Sequence, residues 1–391
     1  MLKRQVKCWS IGLLLVVVSR PAEAQRDAGY DRSVVRQVRI DLRDLGYPPV
    51  DVIPADESAI RALAVAPDGK LYGATGGKRS HLFMLDPVHG YVLPLGFLEG
   101  VSSVEGALVV SRAGDVYIGT VPGGHLLKYP QSSPRSESVP QLRNALPVVD
   151  LGAPVNGESI STLAIDRARN RIYGLTRPGG CFFSYEIESG RFTVHGRVAE
   201  HDMPGEKFEK RKNIGRAIAI DVEGNAYTSG ESGYLYQLSP STGALQRLDI
   251  TVPSVPGREP YNCVDAWASG SDGAILYGGT SDGYLFRFDR TKLEVRNLGK
   301  PLNRYRVRAL VLAPNGRLYG VGGDDDEMAQ LFSYGPAVGT YELLGMIDVN
   351  RRPYYSWQAY VIDCAAVGDD GTIYLGQSER ISKLYLYHPE P

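Results

Sequence analysis

The sequence is poor in cysteine and histidine, two residue types that often hold metals or exchange protons. It has only four cysteines and six histidines among 391 residues, and it has no CxxC pair with metal-ligand spacing. A phosphate-binding glycine loop and an HExxH motif are also missing, so kinase and zinc-protease activities find no support. The one GxSxG match, at 279–283 (GTSDG), lies in a chain without helical periodicity, so α/β-hydrolase activity finds no support either. The formal net charge of −1 argues against a protein that binds nucleic acid by general attraction to phosphates.

The sequence also lacks an apolar run that is long enough to anchor it in a bilayer. Basic residues precede a short apolar stretch at 11–18, and residues 22–24 (AEA) have the small-x-small form of a cleavage site. These features predict a signal peptide over residues 1–24. We therefore expect a secreted or periplasmic protein with no membrane span after cleavage, and one mature domain over residues 25–391.

What the chain does have is a repeat. Seven tyrosines in short apolar runs are each followed within three residues by glycine: Tyr72, Tyr117, Tyr173, Tyr227, Tyr277, Tyr319 and Tyr374. Similar sequences recur around these tyrosines, as in 62–73 (ALAVAPDGKLYG) and 309–320 (ALVLAPNGRLYG). A period of roughly 50 residues with Asp-Gly and Asn-Gly turns favours four-stranded meanders over helical repeats. The sequence thus predicts an all-β fold, a seven-bladed β-propeller of four-stranded antiparallel blades.

The ring of blades must close, and the N-terminus supplies a candidate strand for this. The final unit stops after its third strand, at 383–388, whereas residues 38–46 (VRIDLRDLG) carry the Leu-Gly ending of several fourth strands. We expect this N-terminal strand to complete the last blade and leave no open edge.

The strand order also assigns loops to faces. Connections between blades and the turns between second and third strands share one face, and variable segments collect there at 200–213, 252–262, 300–307 and 346–358. Function tends to lie on variable loops over a rigid scaffold. The long segment 131–147 follows a third strand and is expected on the opposite face.

Several of these connections mix cations with aromatic residues. Arg258 is near Tyr261, Tyr305 lies between two arginines, and Arg351 is near Trp357. Guanidinium groups bind carboxylate or sulfate, and aromatic faces stack on sugar rings, so this mixture suits an acidic polysaccharide or oligosaccharide. An ordinary solvated loop surface is the alternative interpretation.

Two of the six histidines occupy equivalent places in the repeat. Aligned third-strand starts put His81 and His125 at the position that Cys181, Tyr234 and Tyr284 occupy in later units. Histidines there could exchange protons or hold a metal. A half-buried structural position is the alternative, and buried small hydrophobes are the favoured interpretation of the three cysteines of the mature chain.

No cofactor is required by the sequence, although a divalent metal remains possible. The acidic run 324–327 could hold calcium but lacks the alternation of a known calcium loop, so a solvated hairpin is favoured. Glu105, Glu158 and Asp265, all near first-strand starts, keep open a metal-dependent lactonase or phosphoesterase.

The chain resembles exported seven-bladed propellers that cleave acidic polysaccharides, the ulvan lyase and rhamnosyl-glucuronate lyase families. The resemblance rests on the repeats, on the Gly-Gly-His-Leu turn at 123–126 and on its counterpart at His81. It implies β-elimination, with the following assignments: His125 or His81 as base, Tyr261 or Tyr305 as acid, and Arg216 or Arg308 as the cation that neutralises the uronate. Cys181 departs from this pattern, since a histidine is expected there. The alternative is a non-catalytic propeller that binds glycan or protein.

Overall fold

A computed structural model describes residues 39–41, 53–132, 144–199, 214–270, 273–324, 327–351, 355–379 and 382–389, with the main chain alone at 39–41, 348–351 and 355–357. These residues form seven four-stranded antiparallel sheets arranged as a ring, and one additional hairpin. The all-β, seven-bladed propeller is confirmed. Among these residues no helix is long and apolar enough to cross a bilayer.

The first strand of the chain, β1 (Arg39–Asp41), belongs to the last blade. Blade 1 contains β2 (Ala59–Val65), β3 (Leu71–Gly76), β4 (Ser80–Asp86) and β5 (Tyr91–Leu98). Blade 2 contains β6 (Leu108–Val110), β7 (Val116–Gly119), β8 (Leu126–Tyr129) and β9 (Val149–Asp150). Blade 3 contains β10 (Ser159–Asp166), β11 (Arg171–Arg177), β12 (Cys181–Glu186) and β13 (Arg191–Arg197). Blade 4 contains β14 (Ala219–Ile220), β15 (Ala226–Ser229), β16 (Tyr234–Leu238) and β17 (Leu245–Thr251).

Blade 5 contains β18 (Val264–Ser269), β19 (Ile275–Thr280), β20 (Leu285–Asp289) and β21 (Glu294–Gly299). Blade 6 contains β22 (Val307–Leu312), β23 (Leu318–Gly322), β24 (Gln330–Gly335) and β25 (Thr340–Met346). The hairpin of β26 (Asp348–Arg351) and β27 (Tyr355–Gln358) connects blade 6 to blade 7. Blade 7 contains β28 (Ile362–Val367), β29 (Ile373–Gln377), β30 (Lys383–Tyr387) and β1. Short 3-10 turns occur at Ala55–Glu57, Glu231–Gly233 and Glu259–Tyr261.

The N-terminal strand closes the ring, as the sequence predicts. β1 pairs antiparallel with β30, with Ile40 opposite Leu384, so the last blade has the order β1-β30-β29-β28. Side chains also bridge the seam between blades 7 and 1, because the Ser378 hydroxyl donates to the carbonyl of Ile60 at 2.7 Å. Of the sequence predicted for this strand, the Leu-Gly ending lies outside the described residues.

The recurring Tyr-Gly motif has a packing cause. Tyr72 on the second strand is fully buried between sheets, and the glycine that follows it receives the ring of the phenylalanine opposite. A Cβ on Gly73 would stand 2.2 Å from Cζ of Phe83. The same contact recurs in blades 3, 5 and 6, where the glycine and phenylalanine pairs are Gly174 and Phe183, Gly278 and Phe286, and Gly320 and Phe332.

Replacement of Gly73 with alanine is expected to lower the free energy of unfolding by about 1–3 kcal/mol, because the added methyl group overpacks the Phe83 ring. Urea denaturation measures this change. The same substitution in a Phe83→Leu background serves as the control, and there its cost should shrink. An equal cost in both backgrounds would contradict the packing explanation.

The first strand of every blade lines the central channel and runs in the same direction. Their starts therefore meet at one end of the channel and their last residues at the other. Charged residues line the channel at the starts, whereas mainly apolar side chains line it at the other end. The two ends thus offer two chemically different surfaces.

Candidate functional site

One position in each blade builds the wall of the channel at its charged end. This position lies near the start of the first strand. In blades 1, 5, 6 and 7 it is the second residue of the repeated sequences IRALAV, VDAWAS, VRALVL and IDCAAV, respectively. It is occupied in blade order by Arg61, Gly106, Ser161, Arg216, Asp265, Arg308 and Asp363. Together with Glu105, Arg177 and Arg306 these residues line a cavity of about 260 Å³, which we call the channel mouth.

A chain of ion pairs connects three blades across the mouth. Arg61 contacts Asp363 at 2.7 Å, and Arg308 contacts the other oxygen of the same carboxylate at 2.5 Å. Arg308 also pairs with Asp324 in the turn between β23 and β24. Burial alone would raise the pKa of Asp363, but the charges of Arg308 and Arg61 hold it below its ordinary value. This carboxylate is therefore ionised and fixed in place.

A second ion-pair group connects blades 4, 5 and 6. The carboxylate of Asp265, whose side chain is 1% exposed, lies 2.8 Å from Nε of Arg306 and 3.6 Å from Nε of Arg216. Burial alone would lower the pKa of Arg306, but the Asp265 carboxylate raises it above its ordinary value. The Arg306 guanidinium thus keeps its charge inside the protein.

Arg177 is a cation without a close carboxylate among the described residues. Its Nη2 donates to the carbonyl of Ile214 at 3.0 Å, and its Nε is buried with no hydrogen-bond partner in that part of the chain. Burial lowers the pKa of Arg177, and the charge of Arg216 adds to this effect. Five arginines face three carboxylates in the lining, which gives a formal charge of +2, or +1 when Asp324 is included. The mouth therefore favours anions.

A cleft of about 440 Å³ adjoins the mouth and shares Arg216 and Arg306 with it. Its other lining residues are Arg258, Tyr261, Cys263, Ser281, Tyr305 and Asp324. Tyr261 is 43% exposed and Tyr305 is 51% exposed. The Arg258 guanidinium lies 5.6 Å from the centre of the Tyr305 ring, and the Lys300 ammonium lies 5.7 Å from it. Cations thus surround an accessible aromatic face.

The connection that carries Arg258 and Tyr261 is held rigidly. The fully buried carboxylate of Asp282 accepts hydrogen bonds at 2.9 Å from the Val255 main chain and from Nε of Arg258. The buried amide of Asn262 donates to the carbonyl of Pro253 at 2.8 Å. Tyr261 follows directly in the 3-10 turn Glu259–Tyr261. The cleft is therefore preformed on this side.

The structure brings together five of the proposed catalytic and substrate-binding residues, and Glu105 and Asp265 of the metal hypothesis also line the mouth. Arg216 and Arg308 line the mouth, and Arg216, Arg258, Tyr261 and Tyr305 line the cleft. Arg351 and Trp357 lie in the hairpin β26–β27, whose base is bonded to blade 6 through Ala329, but their side chains lie outside the described residues.

The histidines occupy equivalent positions, but neither lines the mouth or the cleft. The main-chain N–H of His81 donates to the Thr75 hydroxyl at 2.9 Å, and that of His125 donates to the Thr120 hydroxyl at 2.8 Å.

Their side chains have different surroundings. His81 is buried, its Nε2 lies 2.7 Å from Glu57, and burial lowers its pKa. The half-exposed ring of His125 contacts Asp150 at 2.8 Å through Nδ1. Their catalytic role stays a prediction.

The candidate metal ligands have other partners. Asp324 and Glu327 pair with Arg308 and Arg304, respectively, and Glu158 accepts a hydrogen bond from the Thr176 hydroxyl. The described residues contain no group of three side chains that could hold a metal ion.

The three cysteines of the mature chain are buried, as predicted, and all three are free. Cys263 lies in the lining of the cleft, but burial raises its pKa to about 11, so it is a protonated thiol at neutral pH.

Sequence analysis missed Arg61, Arg177 and Asp363 as parts of this site. A usable signal existed for two of them, because Arg61 and Asp363 occupy the same repeat position as Arg216 and Arg308. Arg177 had no such signal, since it ends a second strand and reaches the mouth only in the folded ring.

The fold and the mouth define the class of protein: a seven-bladed β-propeller with a positively charged site on the channel axis. No family model matches the sequence, and no curated protein matches it. Among solved structures, the chain is similar to the extracellular domain of the putative hybrid two component system BT4673 from B. thetaiotaomicron, at 17% identity and a TM-score of 0.58. That match covers 90% of this chain and 40% of the other.

A second solved structure, the extracellular domain of the putative one component system BT4673, matches at 16% identity with a TM-score of 0.59. It covers 91% of this chain and 41% of that one, so the chain spans about two fifths of these structures. At such identities the likeness shows the propeller fold alone.

Proposed function

We propose that the protein is an exported propeller that binds acidic carbohydrate, with a uronate carboxylate at the channel mouth and neighbouring sugar in the cleft. The observation that carries this proposal is the sharing of Arg216 and Arg306 between a cation-rich mouth and a cleft with two exposed tyrosines. This sharing supports recognition of the anion and of the sugar by one continuous surface.

The arginines of the mouth suit a carboxylate better than a neutral sugar. A guanidinium group presents parallel N–H donors that match the two oxygens of a carboxylate. Arg177 keeps a buried Nε without a partner among the described residues, and the nearest carboxylate to Arg216 lies 3.6 Å away. A bound carboxylate would therefore give Arg177 a counter-charge and give Arg216 a closer partner than Asp265.

The tyrosines suit the sugar ring. Tyr261 and Tyr305 present accessible aromatic surface beside the arginines, and such surface packs on the apolar face of a pyranose ring. The bonds of Asp282 and Asn262 fix the loop that carries Tyr261 before any ligand arrives. A preformed site loses less conformational entropy on binding.

Replacement of Arg216 with glutamine is expected to weaken the binding of a uronate oligosaccharide by about tenfold or more, because a hydrogen-bonded charge pair contributes about 1.5–3 kcal/mol. Calorimetric titration of purified protein measures this change. Arg296→Gln, on the exposed face of β21, is the matched control and should leave the affinity unchanged. If both substitutions weakened binding equally, the loss would come from the change in net charge, which would contradict the proposed site.

β-Elimination is a second candidate function, and the proximity of Arg216 and Arg306 to Tyr261 and Tyr305 favours it. Neutralisation of the carboxylate by arginine would make the adjacent C5 proton more acidic. One tyrosine could then remove that proton while the other protonates the leaving oxygen.

An assay for unsaturated product by absorbance tests elimination on a panel of uronate polysaccharides. Tyr305→Phe should abolish product formation, and His125→Ala should preserve it if the chemistry occurs in the cleft. Loss only with His125→Ala would instead favour the histidine assignment that the lyase resemblance implies. Binding without product across the panel would leave a non-catalytic binding protein.

A further inference from the structure

The far end of the central channel, where the first strands end, holds a second cavity of about 400 Å³. Its walls carry mainly apolar side chains and come from six blades, with contributions from Leu63, Val110, Ile165, Trp267, Leu312 and Val367. Leu63, Ile165 and Trp267 are only half-buried, although they lie at the axis of the ring. Its volume falls within the ordinary range of ligand sites. We call it the apolar chamber.

A single charged residue, Arg167, is present among the residues that line the apolar chamber. Its Nη2 donates to the carbonyl of Val65 at 2.6 Å and its Nε donates to the carbonyl of Val110 at 2.9 Å. The Arg167 guanidinium is therefore hydrogen-bonded to blades 1 and 2. The described residues place no carboxylate within ion-pair distance of it, and Asp369 acts on it only from farther away. Arg167 is an exposed residue, although desolvation of its guanidinium lowers its pKa.

We propose that the apolar chamber binds an apolar carboxylate, with an alkyl chain against the walls of blades 5, 6 and 7 and the carboxylate at Arg167. The apolar side chains favour an alkyl chain over a sugar, and the single cation favours a monoanion over a neutral or cationic amphiphile. This site lies at the opposite end of the channel from the carbohydrate site. It is lined by different residues, so a test of this proposal does not depend on the carbohydrate proposal.

Trp267 provides a built-in reporter for this chamber. The chain has three tryptophans, of which Trp9 lies in the predicted signal peptide and Trp357 in the hairpin. A mature Trp357→Phe protein therefore has Trp267 as its only tryptophan. The Trp267 ring lines the chamber and packs edge-on against Phe286, so a bound alkyl chain would change its emission.

The experiment is a fluorescence titration of mature Trp357→Phe protein with octanoate, decanoate and dodecanoate, each below its aggregation concentration. We expect a saturable change, with binding roughly fourfold tighter for each added methylene, since burial of one CH₂ is worth about 0.8 kcal/mol. Decanoate should bind at least tenfold more tightly than decanol or decyltrimethylammonium. Arg167→Met should remove the preference for decanoate over decanol.

Two results would overturn the proposal. The first is equal affinity for decanoate, decanol and decyltrimethylammonium, which would mean non-selective adsorption to an apolar surface. The second is an unchanged preference for decanoate in Arg167→Met, which would place the anion elsewhere. The comparison of head groups uses the Trp357→Phe protein alone, so it decides the question even if the Arg167 variant fails to fold.

Discussion

Replacement of Arg306 with methionine is expected to lower the free energy of unfolding by about 3–5 kcal/mol, the usual cost of removing one partner from a buried ion pair. Asp265, with a side chain 1% exposed, would keep only the Cys263 thiol and the Arg216 guanidinium, both at 3.6 Å. Such a change is large beside the total stability of most domains. Urea denaturation measures this loss of free energy of unfolding, provided that the slope m is the same for both proteins.

Two controls separate this electrostatic effect from lost packing. The double variant Arg306→Met/Asp265→Asn should recover much of the loss, because no buried charge is left unpaired. Lys78→Met breaks an exposed pair with Asp56, in which the lysine side chain is 76% exposed, and should cost less than about 1 kcal/mol. If the double variant were no more stable than Arg306→Met, the buried charge would not be the cause.

Deletion of residues 30–46 is expected to lower the melting temperature by an amount on the order of 10 °C. This segment contains β1, which completes blade 7 by pairing with β30. Its loss opens the ring and exposes the main-chain donors and acceptors of β30 to solvent and to other chains. Thermal unfolding followed by circular dichroism measures the shift, and light scattering detects the associated aggregation.

A synthetic peptide of residues 30–46 provides a rescue test for the deletion variant. When added in trans, it should restore the fourth strand and raise the melting temperature, whereas a scrambled peptide should not. An unchanged melting temperature after deletion would show that the pairing of β1 contributes nothing to stability.

The fold was predictable from the sequence because its determinants are local and repeated. Asp-Gly and Asn-Gly pairs specify tight turns, as at Gly69, whose φ is +80°. The Tyr-Gly motif marks second strands because a ring from the third strand packs over the glycine, as Phe83 does over Gly73. Each unit therefore carries its own structural signals, and their number gives the number of blades.

The site was only partly predictable, because it forms where distant units meet. Arg216 and Arg308 were placed correctly at first-strand starts, since the repeat gives their height along the channel. The sequence also predicted that the two histidines lie at the same height along the channel. The repeat does not give the distance of a side chain from the channel axis, however. His81 and His125 begin third strands or immediately precede them, and neither lines the mouth.

Ion pairing within the mouth could not be predicted from local sequence. Arg61 and Asp363 are separated by 302 residues and become neighbours only when the ring closes between blades 1 and 7. Arg306 adopts a left-handed conformation, with φ of +63°, and its guanidinium contacts Asp265 of the preceding blade. Such contacts depend on the geometry of the closed ring.

The most direct test of the carbohydrate proposal compares one uronate oligosaccharide with its carboxyl-reduced counterpart, in which each carboxylate is replaced by a primary alcohol. Calorimetric titration of both ligands at the same ionic strength isolates the contribution of the carboxylate. We predict that the acidic ligand binds at least tenfold more tightly and that Arg216→Gln removes this difference. Equal affinities for the two ligands would contradict recognition of a carboxylate at the channel mouth.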